Sequence, residues 1–511
     1  MRYLVTGNQM KQIDQNAIES IGIPSMVLME RAALAVAKEI MKRSCNTDQI
    51  LIACGTGNNG ADGIAVARML YLKEYCVTLV FKKLGDHGTD EWQKQLEIAE
   101  NLGIPMLDMT DLTSYECDIL VDAVFGVGLS RNLEGSMYEF IKLLSLLKAN
   151  KVFAVDIPSG ISSEFGSIMG IAIKADATIT FGYEKLGTAL YPGKEYSGEV
   201  MVRDIGFPTQ SFQSKEEAAF TYDFTDLKRL PKRYAYGNKG TFGKVLIVAG
   251  SKNMSGAAYL SALAAYRTGA GMVKILTAEE NRTILQQLLP EAILESYDTD
   301  WINASPDESA DWIRSVCKWA DVVVIGPGMG QAPYVDHMVN VVLSTLCVPA
   351  VIDADAINSI ARNPRVTELL KANMIITPHL GEMSRLMKCQ IGNIQDSLIE
   401  TARQYSRLND VICVLKDAVT IVTGDQGQIY VNSSGNSGMA KAGSGDVLTG
   451  VIAGLLALGM KEYEAATMGV YIHGLAGDQL KIRKGSHGML AHEIAHHAGL
   501  VMRDNLVEES M

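Results

Sequence analysis

Cysteine is scarce and unpaired in its spacing. The eight cysteines (Cys45, Cys54, Cys76, Cys117, Cys317, Cys347, Cys389 and Cys413) are scattered, with no Cys-x-x-Cys pair. That pattern excludes a disulfide framework and a cysteine zinc site. Cys54 and Cys413 lie inside apolar runs, as buried free thiols do. No long Lys/Arg run occurs and the net charge is −12, which excludes a general nucleic-acid binder. The longest apolar stretch, roughly Val447 to Met460, is too short and too rich in glycine to span a bilayer. The opening residues, Met1-Arg2-Tyr3-Leu4-Val5, do not begin the apolar core of a signal peptide. A cytoplasmic protein without a membrane or nucleic-acid partner is expected.

What is present is the balance of a globular protein: 511 residues, 48% hydrophobic and 20% charged, enough for about two to four domains. From residue 50 short apolar runs alternate with glycine loops and helical spacings. Ile50–Cys54, Val77–Phe81, Ile119–Val124, Val152–Val155, Thr178–Phe181 and Val200–Val202 read as buried strands, and Ser25–Met41 as a packed helix. The alternation lapses between Thr209 and Tyr236, a polar segment containing Pro231, and then restarts at Lys244–Ala249. Further runs follow at Met272–Leu276, Val322–Ile325, Ala350–Ile352, Met374–Ile376, Ile412–Leu415 and Thr420–Val422. Strands alternating with helices imply parallel sheets covered on both faces. The expected fold class is α/β in two tandem domains, residues 1–215 and 225–505.

In the first domain Gly55-Thr56-Gly57-Asn58-Asn59-Gly60 matches G-x-G-x-x-G between a strand and a helix. The acid that should follow about 20 residues on is missing, because the next strand ends in Phe81-Lys82-Lys83. A standard NAD dehydrogenase is therefore a poor reading. Asn58, Asn59 and Asp62 make the loop suit a hydroxylated ligand or a hard cation that prefers oxygen. Other strand ends carry Asp122 and Asp156-Ile157-Pro158-Ser159-Gly160, and Gly126-Val127-Gly128-Leu129-Ser130-Arg131-Asn132 offers amides and a guanidinium. Strand carboxyl ends form the ligand crevice of open α/β sheets.

In the second domain Gly443-Ser444-Gly445-Asp446 opens the apolar run Val447 to Leu456. A helix N-terminus binds anions because its first amides lack intrahelical partners, and Asp446 puts a potential base beside such an anion. Phosphoryl transfer to a hydroxyl is the chemistry suggested; a plain helix cap is the alternative for Asp446. Other loops with polar punctuation are Gly326-Pro327-Gly328-Met329-Gly330, Thr377-Pro378-His379-Leu380-Gly381-Glu382, Lys416-Asp417-Ala418-Val419-Thr420 and Asn436-Ser437-Gly438-Met439-Ala440-Lys441-Ala442-Gly443. His379 alone reads as a hydrogen-bonded strand-end histidine. A Walker A loop is absent. His492-Glu493-Ile494-Ala495-His496 fits H-E-x-x-H, but only 15 residues follow and the extension a metzincin needs is missing, so the polar face of a last helix explains it. The residues alone leave open a small-molecule kinase or a nucleotide-binding regulatory protein.

Together with Asn58-Asn59-Gly60-Ala61-Asp62-Gly63, Ser255-Gly256-Ala257-Ala258 and Gly269-Ala270-Gly271, these motifs in this order resemble the bifunctional NAD(P)H-hydrate repair enzymes. In that family an NAD(P)HX epimerase is fused to an ADP-dependent NAD(P)HX dehydratase. The resemblance covers nearly the whole chain and implies a Rossmann-like αβα sandwich followed by a ribokinase-like α/β domain. It implies that Asn58, Asn59, Gly60, Ala61, Asp62, Asp156 and the loop from Gly126 to Asn132 contact the hydrated cofactor. Asn59, Asp122 and Ser159 would hold a potassium ion, and Asp156 is the candidate acid/base for interconverting R and S epimers. In the second domain Lys416 to Thr420 and Asn436 to Gly445 would bind ADP or ATP with magnesium. Ala257, Gly328, His379 and Asp446 would bind the S hydrate, with Asp446 as catalytic base. The implied small molecules are NADHX, NADPHX and the adenine nucleotide, and a homo-oligomer is expected.

Overall fold

In the computed structural model, residues 1–82, 88–424 and 426–503 are described. They form two compact units, one of Tyr3–Ala219 and the other of Met1–Arg2 with the chain from Phe220 onward.

The first unit is built on seven parallel strands: β1 (Gln49–Cys54), β2 (Cys76–Phe81), β3 (Met106–Asp108), β4 (Ile119–Ala123), β5 (Lys151–Val155), β6 (Ala177–Phe181) and β7 (Glu199–Arg203). Their order is β3-β2-β1-β4-β5-β6-β7. The period of two along β1 sends its residues into two different cores. Ile50, Ile52 and Cys54 pack with the helices Ser25–Met41 and Asn58–Tyr71, whereas Leu51 and Ala53 pack with Phe140, Ile141 and Leu144 of the helix Gly135–Leu146. Burial on both faces is why these strands read as unbroken apolar runs. The order reverses between β1 and β4, which opens a crevice above their carboxyl ends.

The second unit repeats the principle. Its strands are β8 (Lys244–Val248), β9 (Met272–Ala278), β10 (Ile293–Tyr297), β11 (Val322–Ile325), β12 (Ala350–Ile352), β13 (Met374–Ile376), β14 (Ile412–Leu415), β15 (Ile421–Thr423) and β16 (Ile429–Val431). They lie in the order β10-β9-β8-β11-β12-β13-β14-β15-β16, parallel as far as β14, with β15 and β16 antiparallel. The helix Ser444–Ala457 packs on Ser255–Arg267 so closely that a Cβ on Gly450 would lie 2.2 Å from the Ser261 carbonyl oxygen, and one on Gly454 2.0 Å from Thr268 Oγ1. Glycine at those positions lets the two backbones touch. Among the described residues no helix is long and apolar enough to cross a membrane.

The strand readings from sequence fall within a residue or two of the observed bounds, but β3, β10 and β16 were not anticipated, nor were the short strands Arg2–Val5, Glu184–Lys185 and Ala219–Thr221, the last of which pairs with β16 inside the polar segment 209–236. β3 and β10 are sheet edges, and most of their residues are only half-buried, so they carry no continuous apolar signal. β16 is a short hairpin partner of β15.

Candidate active sites

In the first unit the crevice above β1 and β4 is a cavity of about 870 Å³. Its lining includes Asn58, Asn59 and Asp62 from the helix that follows β1, the loop from Phe125 to Leu129, and Asp156 from the end of β5. Gly60 and Ala61 are buried behind that wall. A Cβ on Gly60 would lie 1.9 Å from the Gly55 carbonyl oxygen, so the tight turn itself demands glycine there. Ser130, Arg131 and Asn132 are exposed and do not line the cavity, whereas Gly126, Val127, Gly128 and Leu129 do. Lys82 also lines it; its neighbour Lys83 lies outside the described residues.

Asp156 sits in the left-handed region at φ 68°, a conformation that turns its carboxylate back over the sheet at some cost in strain. Two groups that sequence reading passed over hold it. Thr180 Oγ1 donates to Asp156 Oδ1 at 3.0 Å, and the Lys185 ammonium, 1% exposed, forms a salt bridge with the same oxygen. Lys185 also donates to Thr180 Oγ1 at 2.8 Å and to the Phe181 carbonyl at 3.2 Å. Asp14, from the helix Gly7–Gln15, completes the cluster in the same cavity. Burial, reinforced by the Asp156 charge, pushes the Asp14 carboxyl up and the Asp62 carboxyl well up. The cavity therefore juxtaposes an ion-paired carboxylate with carboxyls biased towards their protonated form, the arrangement that acid/base chemistry uses.

Beneath this wall, Asp122 is wholly buried. It accepts hydrogen bonds from Ser159 Oγ at 2.6 Å, Ser159 N at 2.7 Å and Val124 N at 3.2 Å. Burial pushes its carboxyl up to about 6 despite those bonds. Asn59 Nδ2 is buried without a hydrogen-bond partner. Carboxylate, hydroxyl and amide oxygens are the donors a hard cation prefers, and a cation here would relieve the desolvated carboxylate. The oxygens of this set suit a hard cation.

In the second unit Gly443 is the N-cap of Ser444–Ala457 at φ 90°, and Asp446 is the third residue of the helix with no capping hydrogen bond. The helix-cap explanation for Asp446 thus falls away. Its main-chain carbonyl accepts from Ser261 Oγ at 3.1 Å, which ties the turn to the helix carrying Ala257. Burial and then the neighbouring Asp353 push the Asp446 carboxyl up to about 6, with Lys416 opposing and Asp355 adding. A Cβ on Gly328 would lie 2.8 Å from Ala257 Cβ, so the site needs glycine there, and Gly328, at φ 60°, is clamped by Ser251 Oγ on its carbonyl at 2.9 Å. Asp355 Oδ2 accepts from Gly330 N at 2.7 Å and fixes the same loop.

Lys416 pairs with Asp353 at 2.9 Å, and its Nζ lies 3.3 Å from where a Cβ on Gly445 would stand. A cation therefore sits directly under the anion turn. His379 bridges to Lys416 through the backbone and caps the helix Leu380–Met387, its Nδ1 accepting from Gly381 N at 3.0 Å. Only its Nε2 edge is left for a ligand, and that edge faces Glu382 at 3.4 Å. Asp417 and Ala418 are exposed and Val419 is buried, so Val419 could meet a nucleotide only through its backbone. Asn436 and the Gly435 amide are held by Asp478 at 2.8 Å each, and Asn436 Oδ1 accepts from Gly438 N at 3.1 Å. Lys441 Nζ donates to the His487 carbonyl at 2.6 Å. Ser444 Oγ lies 3.4 Å from His473 Nε2, an imidazole that burial brings down to about 4 and so keeps neutral. In the last helix Glu493 is engaged by Lys484 and by Leu490 N, which gives the H-E-x-x-H segment a structural explanation.

Asp353, His473 and Asp478 were missed in the sequence, as were Asp14 and Lys185. Asp353 did carry a signal, since Ile352-Asp353 is a strand end like Val121-Asp122 and Val155-Asp156. Lys185 follows β6 closely. Asp14, His473 and Asp478 lie on helix faces and had none.

A family model for the N-terminus of YjeF-related proteins matches residues 25–187, and one for NAD(P)H-hydrate dehydratase matches residues 245–498. The bifunctional NAD(P)H-hydrate repair enzyme of Moorella thermoacetica is 36% identical over 99% of this chain and 98% of its own length. That of Escherichia coli is 32% identical over 94% of this chain and 90% of its own. Among solved structures, the ADP/ATP-dependent NAD(P)H-hydrate dehydratase of Bacillus subtilis, co-crystallised with ATP and Mg2+, is 28% identical and covers 55% of this chain and 97% of its own, with a TM-score of 0.47. The two family models in succession, and full-length relatives 32–36% identical over at least 94% of the chain, establish that the chain belongs to the bifunctional NAD(P)H-hydrate repair enzymes.

Proposed function

We propose that the protein restores NADH and NADPH damaged by hydration, interconverting the R and S epimers of NAD(P)HX in the first unit and dehydrating the S form in the second. The observation that carries the dehydratase reading is the unengaged Asp446 carboxylate, standing at the anion turn with the Lys416 ammonium below it. Asp446 takes the proton of the C6 hydroxyl as that oxygen attacks the terminal phosphorus of ADP, and AMP leaves. Lys416 and the amides of the turn stabilise the charge on the transferring phosphoryl group. The C6–O bond then breaks, pushed by the ring-nitrogen electrons, and a proton leaves the adjacent carbon to give NAD(P)H and phosphate. Magnesium bound to the nucleotide would offset part of the charge on its phosphates. The segments Lys416 to Thr420 and Asn436 to Gly445 receive the nucleotide, and Ala257, Gly328 and His379 the S hydrate.

In the first unit Asp156 is the acid/base that interconverts the R and S epimers, and Lys185 orients its carboxylate. Asn58, Asn59, Asp62 and the loop from Gly126 hold the hydrate. Potassium, held by Asn59, Asp122 and Ser159, would supply a fixed positive charge beneath the substrate. Asp446→Asn tests the division of labour: ADP-dependent dehydration should fall by at least 1000-fold while epimerisation, followed by chromatographic R/S ratio, stays unchanged. Loss of both activities in a folded variant would refute it. Release of inorganic phosphate, with no stable phosphorylated product, separates this reading from a small-molecule kinase.

A further inference from the structure

We infer that Asp353 is a positioning residue of the dehydratase site, anchoring the Lys416 ammonium beneath the Gly443–Gly445 turn and setting the charge that Asp446 meets. The inference rests on the dehydratase reading of the second unit. Asp353 is 2% exposed, stands at the end of β12, and no step of the chemistry above uses it directly. A carboxylate so buried survives only if it is fully partnered. Its partners come from three different elements. Lys416, after β14, meets Oδ1 at 2.9 Å; Thr377, after β13, donates to the same oxygen at 2.7 Å; and Thr449, inside the catalytic helix, lies 2.9 Å from Oδ2. Thr449 Oγ1 is also 3.0 Å from the Gly445 carbonyl, so one hydroxyl links Asp353 to the anion turn.

The backbone supports the same assignment. Ala354 is held at φ 47°, a strained conformation for a residue with a side chain, and a Cβ on Gly326 would lie 1.8 Å from the Asp353 carbonyl oxygen. The chain is bent at this point to place one carboxylate.

The charges around the pair are few and identifiable. Asp446 faces Asp353, Asp355 and Lys416; Lys416 faces Asp353, Glu382 and Asp446; His379 and the neutral His473 feel the Lys416 charge, and Arg385 acts on His379 and Glu382. Burial pulls the Lys416 ammonium towards losing its proton, and Asp353 is the largest influence opposing that. In turn Asp353 is the largest charge raising Asp446. Removing its charge while keeping its shape should therefore move both ionisations down together.

The test is Asp353→Asn in the full chain, with ADP-dependent NADHX dehydration measured from pH 5 to 10. The expected result is a kcat at least tenfold lower, a KM for ADP within threefold of the unaltered protein, and the acid limb of the pH profile, set by Asp446, shifted to lower pH. In a Lys416→Met background the same change should cost less than a further twofold. Asp353→Glu, which keeps the charge on a longer stem, should lower kcat yet retain the original pH limits, and it serves alone if the Asn form does not fold. An unmoved pH profile with full additivity on Lys416→Met, or an unchanged kcat in the Glu form, would overturn the inference. Absence of ADP-dependent turnover in the unaltered protein would instead contradict the dehydratase reading itself.

Discussion

At the residue scale, the account turns on carboxylates whose surroundings set them different tasks. Asp446 and Asp122 are both pushed up to about 6 by burial, and Asp353, close to Asp446, is held low by its ion pair with Lys416 although burial alone would raise it. A base must be ionised to act, so dehydration should lose activity as pH falls through about 6, the value of Asp446. Stability runs the other way. A carboxyl raised above its unfolded value stabilises below the unfolded pKa, and that contribution is lost as pH rises through about 6. Asp446→Asn should thus gain on the order of 2 kcal/mol relative to the unaltered protein between about pH 4 and pH 7 in ligand-free melts. A constant difference across that range would contradict the burial of its charge. Asp156 needs a subtler variant. Asp156→Ala would leave the Lys185 ammonium buried and unpaired, at about 3–5 kcal/mol, and would confuse folding with chemistry. Asp156→Asn keeps a hydrogen-bond acceptor for Lys185 and Thr180, and should abolish enzyme-catalysed epimerisation with a smaller drop in melting temperature than the Ala form.

At the element scale, the carboxyl ends of parallel strands do the positioning, and that was legible in the chain. Asp122, Asp156, His379 and Lys416 stand where strand-ending runs put them, because a strand buried on both faces is a continuous apolar word closed by its first polar residue. Asp353 obeys the same rule and was passed over, since nothing local distinguishes it from a turn residue; its role emerges only when Thr377, Lys416 and Thr449 arrive from elsewhere in the sequence. Asp14 and His473 were illegible for a different reason: a helix face reveals its polar members but not the cavity they meet. The helix Ser444–Ala457 offers a mechanical test. Gly450→Val should overpack the contact with Ser261 and Ala264, destabilising the second unit by about 1–3 kcal/mol or more and displacing the anion turn. Calorimetry would show a lowered transition, while epimerisation at the permissive temperature should persist. An unshifted transition would mean the helices are less closely packed than described.

At the scale of the whole molecule, two sheets of similar construction carry unlike chemistry because the loops at their strand ends differ. The first presents a large cavity with ion-paired acid/base groups, and the second an anion turn over a buried lysine. One chain thereby holds an epimerase that feeds its own dehydratase with the S form. The measurement that tests this most directly is recovery of NADH absorbance when the purified protein meets a mixture of R and S NADHX with ADP and magnesium, spontaneous epimerisation being subtracted. The account predicts complete recovery with stoichiometric release of AMP and phosphate. A plateau at the S fraction would contradict the assignment of the first unit, and no recovery with either ADP or ATP would contradict the repair function as a whole.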